Sequence, residues 1–364
     1  MIRNLNRKFQ DYMRPKRLAL GKWIWDRKEK KEEIDLAKLK SILFLRYEGK
    51  IGDMVVTTYM FREIKKKYPD LKIGVVSRGA AVDIIKNNPH IDTIYEYIKG
   101  KESILGKKIS DEKYDLLIDF SEILRVKDMK LINLCNAKVN IGINKKNWKL
   151  FDISIEPEKD FNWSDHITRR YECYLKKIDI MESNKSYDLY LDTKIPVEEK
   201  IGKKEELTVI INPYGASKHK HFNENTLDKI IKYLLEKKCK IIFIYYPKKY
   251  SELKLFLKNY EDETIKLPEN IKTILDSSKI IEKGDIIITP DTSIVHIATA
   301  LNKKIISVYP PKGGDNKVDH LVWGPLDIKN KMIFCEDKKN VGDEIDINTF
   351  KFEDFKERFE SLEK

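Results

Sequence analysis

The sequence predicts an α/β protein built from two doubly wound parallel-sheet domains, and three observations lead there. Short apolar runs alternate with amphipathic helical stretches; this alternation occurs twice; and a polar interval without clear period, about 144–204, separates the two runs. The chain of 364 residues also exceeds the size at which one hydrophobic core usually suffices, so two domains of about 150 residues each are expected.

The first run reads Ile42–Leu45 apolar, Met54–Lys67 amphipathic, Ile73–Val76 apolar, Ala80–Asn87 helical and Asp115–Phe120 apolar. The middle interval predicts loops, one helix near His166–Lys177 and the interdomain linker. The grammar then restarts with Thr208–Ile211, Glu224–Lys237, Lys240–Tyr245, Ile271–Glu282, Asp285–Thr289, Thr292–Leu301 and Lys304–Tyr309, and Ile347–Leu362 reads as a closing helix. The expected organisation is an arm over 1–40, a first domain over 41–190, a linker over 191–207, a second domain over 208–345 and a terminal helix over 346–364.

Apolar residues make up 41% and charged residues 36%, a soluble composition whose apolar runs fall short of the roughly 18 residues of a membrane span. The start of the chain lacks the apolar core and cleavage site of a signal peptide, so a cytoplasmic protein is expected. Cys135, Cys173, Cys239 and Cys335 are far apart and unpatterned, which predicts reduced packing residues rather than a zinc site or a disulfide framework. The net charge of +12 is concentrated early: the first 31 residues hold eleven basic side chains against Asp11, Asp26 and Glu29. Ile2, Leu5, Phe9, Met13, Leu18, Trp23, Ile24 and Trp25 fall among them at roughly helical spacing, interrupted by Pro15. That pattern reads as a basic amphipathic segment on an anionic membrane face, a solvated tail, or an arm packed on the body. No zinc finger, RNP motif or basic heptad array accompanies the charge, so nucleic acid is not the expected partner.

Three constellations carry chemistry. In ILFLRYEGKIGDMVVTTYMFREIKKK, an apolar strand runs into a turn with Gly49, Gly52 and Asp53 and straight into a helix. The glycines permit close backbone approach, a helix start offers unpaired N–H groups, and a carboxylate held there can act as a base. A plain turn with a capping aspartate is the competing reading. In INPYGASKHKHFNENTLDKI, backbone N–H groups of Gly215–Ser217 and the cations of Lys218 and Lys220 suit a pyrophosphate, against the alternative of a surface charge run. In IIITPDTSIVHIATALNKKIISVYPP, Asp291, Thr292 and Ser293 sit at the carboxyl end of a strand, with His296 one turn into the next helix, where open α/β sheets bind ligands.

Taken together and in this order, these motifs, with NNPHID and the WGP of Trp323–Pro325, resemble glycosyltransferase family 9, the ADP-heptose:lipopolysaccharide heptosyltransferases, over most of Ile42–Pro325. The resemblance implies a GT-B fold of two Rossmann-like domains, the first binding mainly the acceptor and the second mainly the nucleotide sugar. It implies inverting transfer with no essential metal and no cofactor. Carried over by motif position, Asp53 matches the general base, and Lys220 matches the phosphate-binding lysine best, with Lys218 the alternative. Asp291, Thr292 and His296 match donor-site residues, and Ser293 stands where glycine is frequent. Ser217 belongs to the same donor loop, and Glu252 in YYPKKYSE matches a ribose-binding glutamate in a loosely aligned region. The implied partners are ADP-heptose or a related nucleotide sugar and a phosphorylated lipid A–core acceptor, with contact to the inner-membrane surface. A GT-B transferase with another nucleotide sugar, or a non-catalytic protein of the same fold, are the rival readings.

Overall fold

The computed structural model describes residues 2–28, 35–192, 206–215, 217–311, 319–326, 331–336 and 345–363. Most of the expected linker over 191–207, and Ala216 of the second constellation, lie outside them. Contacts divide the chain into two units, Met1–Gly49 with Met60–Val82 and Pro89–Asn184, and Lys50–Tyr59 with Asp83–Asn88 and Lys185–Lys364.

The first sheet is formed by β1 Ser41–Leu45, β2 Lys72–Ser77, β3 Thr93–Glu96, β4 Leu116–Asp119, β5 Val139–Ile143 and β6 Ile153–Ile155, all parallel in the order β3-β2-β1-β4-β5-β6. β1 and β4 are buried along their whole length, as expected for central parallel strands covered on both faces, and this is why they read as unbroken apolar runs. The helices of this half are α1 Ile2–Trp25, α2 Ile51–Lys67, α3 Ala80–Ile85, α4 Glu102–Asp111, α5 Val126–Cys135 and α6 Ile167–Lys177. Helix α2 has Asp53 in its first turn and Lys65, Lys66 and Lys67 in its last, charges that suit the helix dipole at each end.

The second sheet repeats the first. Its strands β7 Thr208–Ile211, β8 Lys240–Phe243, β9 Ile265–Lys266, β10 Ile286–Pro290, β11 Lys304–Tyr309 and β12 Lys331–Phe334 run parallel in the order β12-β11-β10-β7-β8-β9. Helices α7 Glu224–Glu236, α8 Tyr250–Leu257, α9 Ile274–Lys283, α10 Ser293–Ala300, α11 Asp319–Val322 and α12 Phe352–Glu363 complete it. Helix α12 packs Phe352, Phe355 and Phe359 edge-on against Tyr233 of α7 at 5.7–6.2 Å between ring centroids.

Several boundaries differ from the sequence reading. Helix α2 starts at Ile51, so Gly52 and Asp53 stand inside its first turn rather than in the turn before it. Pro15 does not end α1, which runs through it; both flanks are exposed there, where water can satisfy a carbonyl that loses its partner. The closing helix begins later than Ile347, because Asp346 accepts from Asn348 N (3.0 Å) and holds Ile347–Thr349 as a separate 3₁₀ turn before extended Phe350. Helix α9 likewise starts at Ile274, where Thr273 and Asp276 form a reciprocal capping box.

Two buried groups of opposite charge, Lys145 and Asp119, lie at the carboxyl edge of the first sheet. Lys145, 1% exposed, donates through Nζ to Ser121 O (2.5 Å) and Ile143 O (2.9 Å) beside buried Asp119. Burial pushes the Asp119 carboxyl up to about 6 against the opposing charge of Lys145, and burial holds Lys145 below the usual lysine value. Lys145→Met would leave two buried carbonyls without this donor and Asp119 without its opposing charge, at a cost of about 3 kcal/mol or more. Thermal unfolding should therefore show a midpoint lower by roughly 5–10 °C. An unchanged midpoint would mean that the pair carries no such weight.

Candidate active site

In a doubly wound sheet the crevice for a ligand opens where neighbouring central strands send their connections in opposite directions. Those strands are β1 and β4 in the first sheet and β7 and β10 in the second. All three constellations follow one of them: Gly49–Asp53 follows β1, Tyr214–Lys220 follows β7, and Asp291–His296 follows β10.

After β1, the buried guanidinium of Arg46 pairs with Glu48 (3.0 Å), bonds Tyr171 Oη and lies over the ring of Phe120. Arg78 donates to Glu48 O (2.7 Å), and a Cβ at Gly49 would meet Arg78 Nε at 3.0 Å. Gly49 has φ 78°, so this turn requires glycine for its backbone angle as well. Gly52 answers a different demand. Its segment belongs by contact to the second unit, and a Cβ there would lie 2.7 Å from His296 Cδ2 and 3.4 Å from Ser293 Cα. Asp53, one residue on, is 17% exposed and has Lys50 Nζ at 3.9 Å. The structure therefore brings the Asp53 corner together with the start of α10.

The loops after β7 and β10 are joined by Asn212. Its Nδ2 donates to Thr289 Oγ1 (2.9 Å) and Tyr214 O (3.0 Å), and Thr289 Oγ1 lies 3.2 Å from Thr292 Oγ1. Thr292 N-caps α10 by accepting from Ile294 N (3.2 Å), and Ser293 opens that helix. His296 is buried on its first turn between the rings of Tyr187 (6.1 Å) and Trp323 (6.2 Å). Asp291 is pushed up to about 6 by burial, with Lys220 opposing and Asp319 of α11 reinforcing the rise. Lys220 thus acts on Asp291 through its charge.

Lys218 serves another place. Lys218–Lys220 forms a 3₁₀ turn, and Gly215 lies so close to it that a Cβ would sit 2.1 Å from Lys220 O. Ser217 is half-buried at the start of this turn and accepts from Lys220 N through its carbonyl. Exposed Lys218 lines a pocket of about 390 Å³ with Tyr214, His221, Phe222, Lys249 and Glu252. Tyr214 stands edge-on to Tyr246 (5.3 Å) and to His221 (5.2 Å), and Lys249 pairs with Glu252. Burial and then Lys249 hold the His221 imidazole below its usual value, so it is neutral at pH 7.

Sequence reading missed Arg46, Asn212, Tyr214, Thr289 and Asp319. Asn212 and Tyr214 did carry a signal in NPYG, a polar residue and an aromatic at the end of a strand. Arg46 stood within an apolar strand motif, and only the fold shows what it pairs with.

Two repeated parallel sheets with polar loops at their carboxyl edges define a two-domain α/β fold of GT-B type. The family description Glycosyltransferase family 9 (heptosyltransferase) matches residues 103–341, and the chain belongs to that family. It is 26% identical over 321 residues, 82% of each chain, to a provisionally assigned lipopolysaccharide heptosyltransferase 4 of Escherichia coli (strain K12). The structure matches a family 9 glycosyltransferase from Veillonella parvula DSM 2008 with a TM-score of 0.71 at 15% identity, covering 91% of this chain and 98% of that one. It matches the E. coli heptosyltransferase WaaC with ADP with a TM-score of 0.66 at 14% identity, covering 88% and 99%.

The raised Asp291 pKa yields a directional expectation. Below about pH 6 its carboxyl is protonated, and above it the ionised form accepts hydrogen bonds from a ligand more strongly. The rate at low donor concentration, kcat/KM, should rise through pH 6 and then level, and Asp291→Asn should abolish that limb while lowering the plateau by roughly 10-fold or more. A limb that survives the substitution assigns the titration to another group.

Proposed function

We propose that this glycosyltransferase moves a heptose from ADP-heptose to the phosphorylated inner core of lipopolysaccharide or lipooligosaccharide, inverting the anomeric centre without a metal. The observation that carries the reading is the meeting of the Asp53 corner with the start of α10, through the close approach of Gly52 to His296 and Ser293. A general base and a donor site must share one sugar, and this contact is the kind of approach that such sharing demands.

Asp53 removes a proton from the acceptor hydroxyl, which attacks the anomeric carbon from the face opposite ADP. The C–O bond to the diphosphate breaks as the new one forms, through an oxocarbenium-like state, and the electron pair leaves with ADP. Lys220, beside Asp291, and the N–H groups at the Thr292-capped helix start stabilise the charge that develops on the diphosphate. Asp291, Ser293 and His296 line the donor sugar. The aromatic pocket of Tyr214 and His221 suits the flat face of a base, and Glu252 offers a carboxylate to the ribose hydroxyls. Lys218 and Ser217 complete the nucleotide side. WaaC has been solved with ADP and with ADP-2-deoxy-2-fluoro heptose, which supports a nucleotide sugar of this class here.

The proposed division of labour follows the two sheets, with the acceptor on 41–190 and the donor on 208–345. Among the described residues no helix is long and apolar enough to cross a membrane. The enzyme is proposed to work in the cytoplasm as a peripheral protein on the inner face of the inner membrane, where a lipid-borne acceptor is presented.

Asp53→Asn should lower kcat by roughly 10²–10⁴-fold with ADP affinity kept, measured by transfer to delipidated core acceptors and by calorimetric titration with ADP. Near-normal turnover would remove Asp53 from the role of base. Lys220→Ala should weaken ADP binding by about 10-fold or more, and Lys218→Ala by less. The reverse order would give the diphosphate to Lys218. Mass measurement after incubation with ADP-heptose and a panel of other nucleotide sugars tests the donor itself: the acceptor should gain one heptose from ADP-heptose alone.

A further inference from the structure

We propose that α1 is an interfacial anchor that lays one defined face on an anionic lipid surface, held in a set orientation by a dock at its carboxyl end. This deepens the reading of a membrane-borne acceptor and rests on it for the choice of surface.

The dock is specific. Gly21 is buried against Val126 of α5, so closely that a Cβ would lie 2.6 Å from a valine methyl. One turn later Trp25 packs on the core cluster of the first unit. Asp26 is buried and accepts from Leu150 N (3.0 Å), Lys22 lies over the Trp148 ring and donates to Asn147 O (3.1 Å), and Asn133 Nδ2 donates to Trp25 O and Arg27 O. One glycine, one tryptophan and several polar groups therefore make the attachment.

Other large apolar residues are exposed. At about 100° per residue, Phe9, Tyr12, Leu20 and Trp23 fall in one stripe on the side away from Gly21 and Trp25. They are 57%, 63%, 57% and 68% exposed. Ile24 flanks the stripe, and among the described residues of this helix Leu18 alone of the exposed large apolar side chains falls on the other side. A helix that merely packed on the body would bury this stripe and expose Gly21.

Charge selects the occupant. Lys16 lies within the stripe, its ammonium 4.1 Å from the Tyr12 ring centroid and bonded to Tyr12 Oη, and Arg17 is exposed at its flank, with Asp11 the single acid over Asp11–Leu20. Rings with polar tips and lysines on apolar stems place their apolar bodies in an interface and their polar ends among headgroups. The positive helix and the net charge of +12 repel a second copy of the chain and attract an anionic surface. Pro15, midway along the stripe, allows the segment to bend onto the plane.

The test uses the full chain and sedimentation with vesicles of phosphatidylethanolamine containing phosphatidylglycerol. The wild type should bind, more weakly as salt rises, and the Phe9→Ser, Leu20→Ser, Trp23→Ser triple variant should bind roughly tenfold less or worse with an unchanged unfolding midpoint. Donor-dependent transfer to a soluble delipidated acceptor should be the same for both proteins. Failure of the wild type to bind, or equal binding by the variant, overturns the proposal. A lipid-free dimer that the same substitutions dissolve would assign the stripe to a second copy and overturn it too. Vesicle binding without any heptose transfer would instead strike the heptosyltransferase reading and leave the anchor standing.

Discussion

The divergence of connections at the centre of each parallel sheet is the constraint on which the rest depends. Right-handed crossovers send the chain after β1 and β7 to one side and the chain after β4 and β10 to the other, so the carboxyl ends of these strands cannot be roofed by their own connections. Backbone groups left over there need partners, and the polar residues that supply them also face any ligand. Asn212 illustrates the economy of this arrangement: one buried amide joins the loop after β7 to Thr289 and Tyr214 and thereby aligns two of the three constellations.

Central strands were legible because burial on both faces demands unbroken apolar runs, and Thr208–Ile211 and Lys304–Tyr309 have the same limits in sequence and structure. Edge elements were not. β3, with polar Thr93 and Glu96 at its ends, β9 with two residues, and the ten-residue helices α4 and α5 carry too little apolar period to stand out. Helix starts shifted wherever a side-chain cap decided the matter, as Thr273 and Asp346 show. Capping depends on a few hydrogen bonds rather than on a pattern spread over many residues.

For the site, the chemistry of each motif could be read, but its partners could not. Lys218 and Lys220 are two residues apart and chemically identical, and only motif position favoured Lys220 for the phosphate. The 3₁₀ turn between them separates their roles, since at about three residues per turn it turns the two side chains to different sides. One lies in the pocket with Glu252 and the other acts on Asp291. Asp319 was invisible for a different reason: no pattern marks it ahead of WGP, and it acts on Asp291 through its charge.

The glycines separate the two physical demands that a reactive corner makes. Gly49 is required by its own backbone, whose positive φ any Cβ would strain. Gly52 and Gly215 have no such angle among the described residues; they are required by what comes near them, His296 in one case and Lys220 O in the other. Alanine at Gly49 would thus act locally on the turn. At Gly52 it would separate Asp53 from the start of α10, and at Gly215 it would open the lysine turn. A proton acceptor, a diphosphate and a sugar can share one small volume only if the backbone segments carrying them approach within van der Waals contact, and absent side chains are what permit that approach.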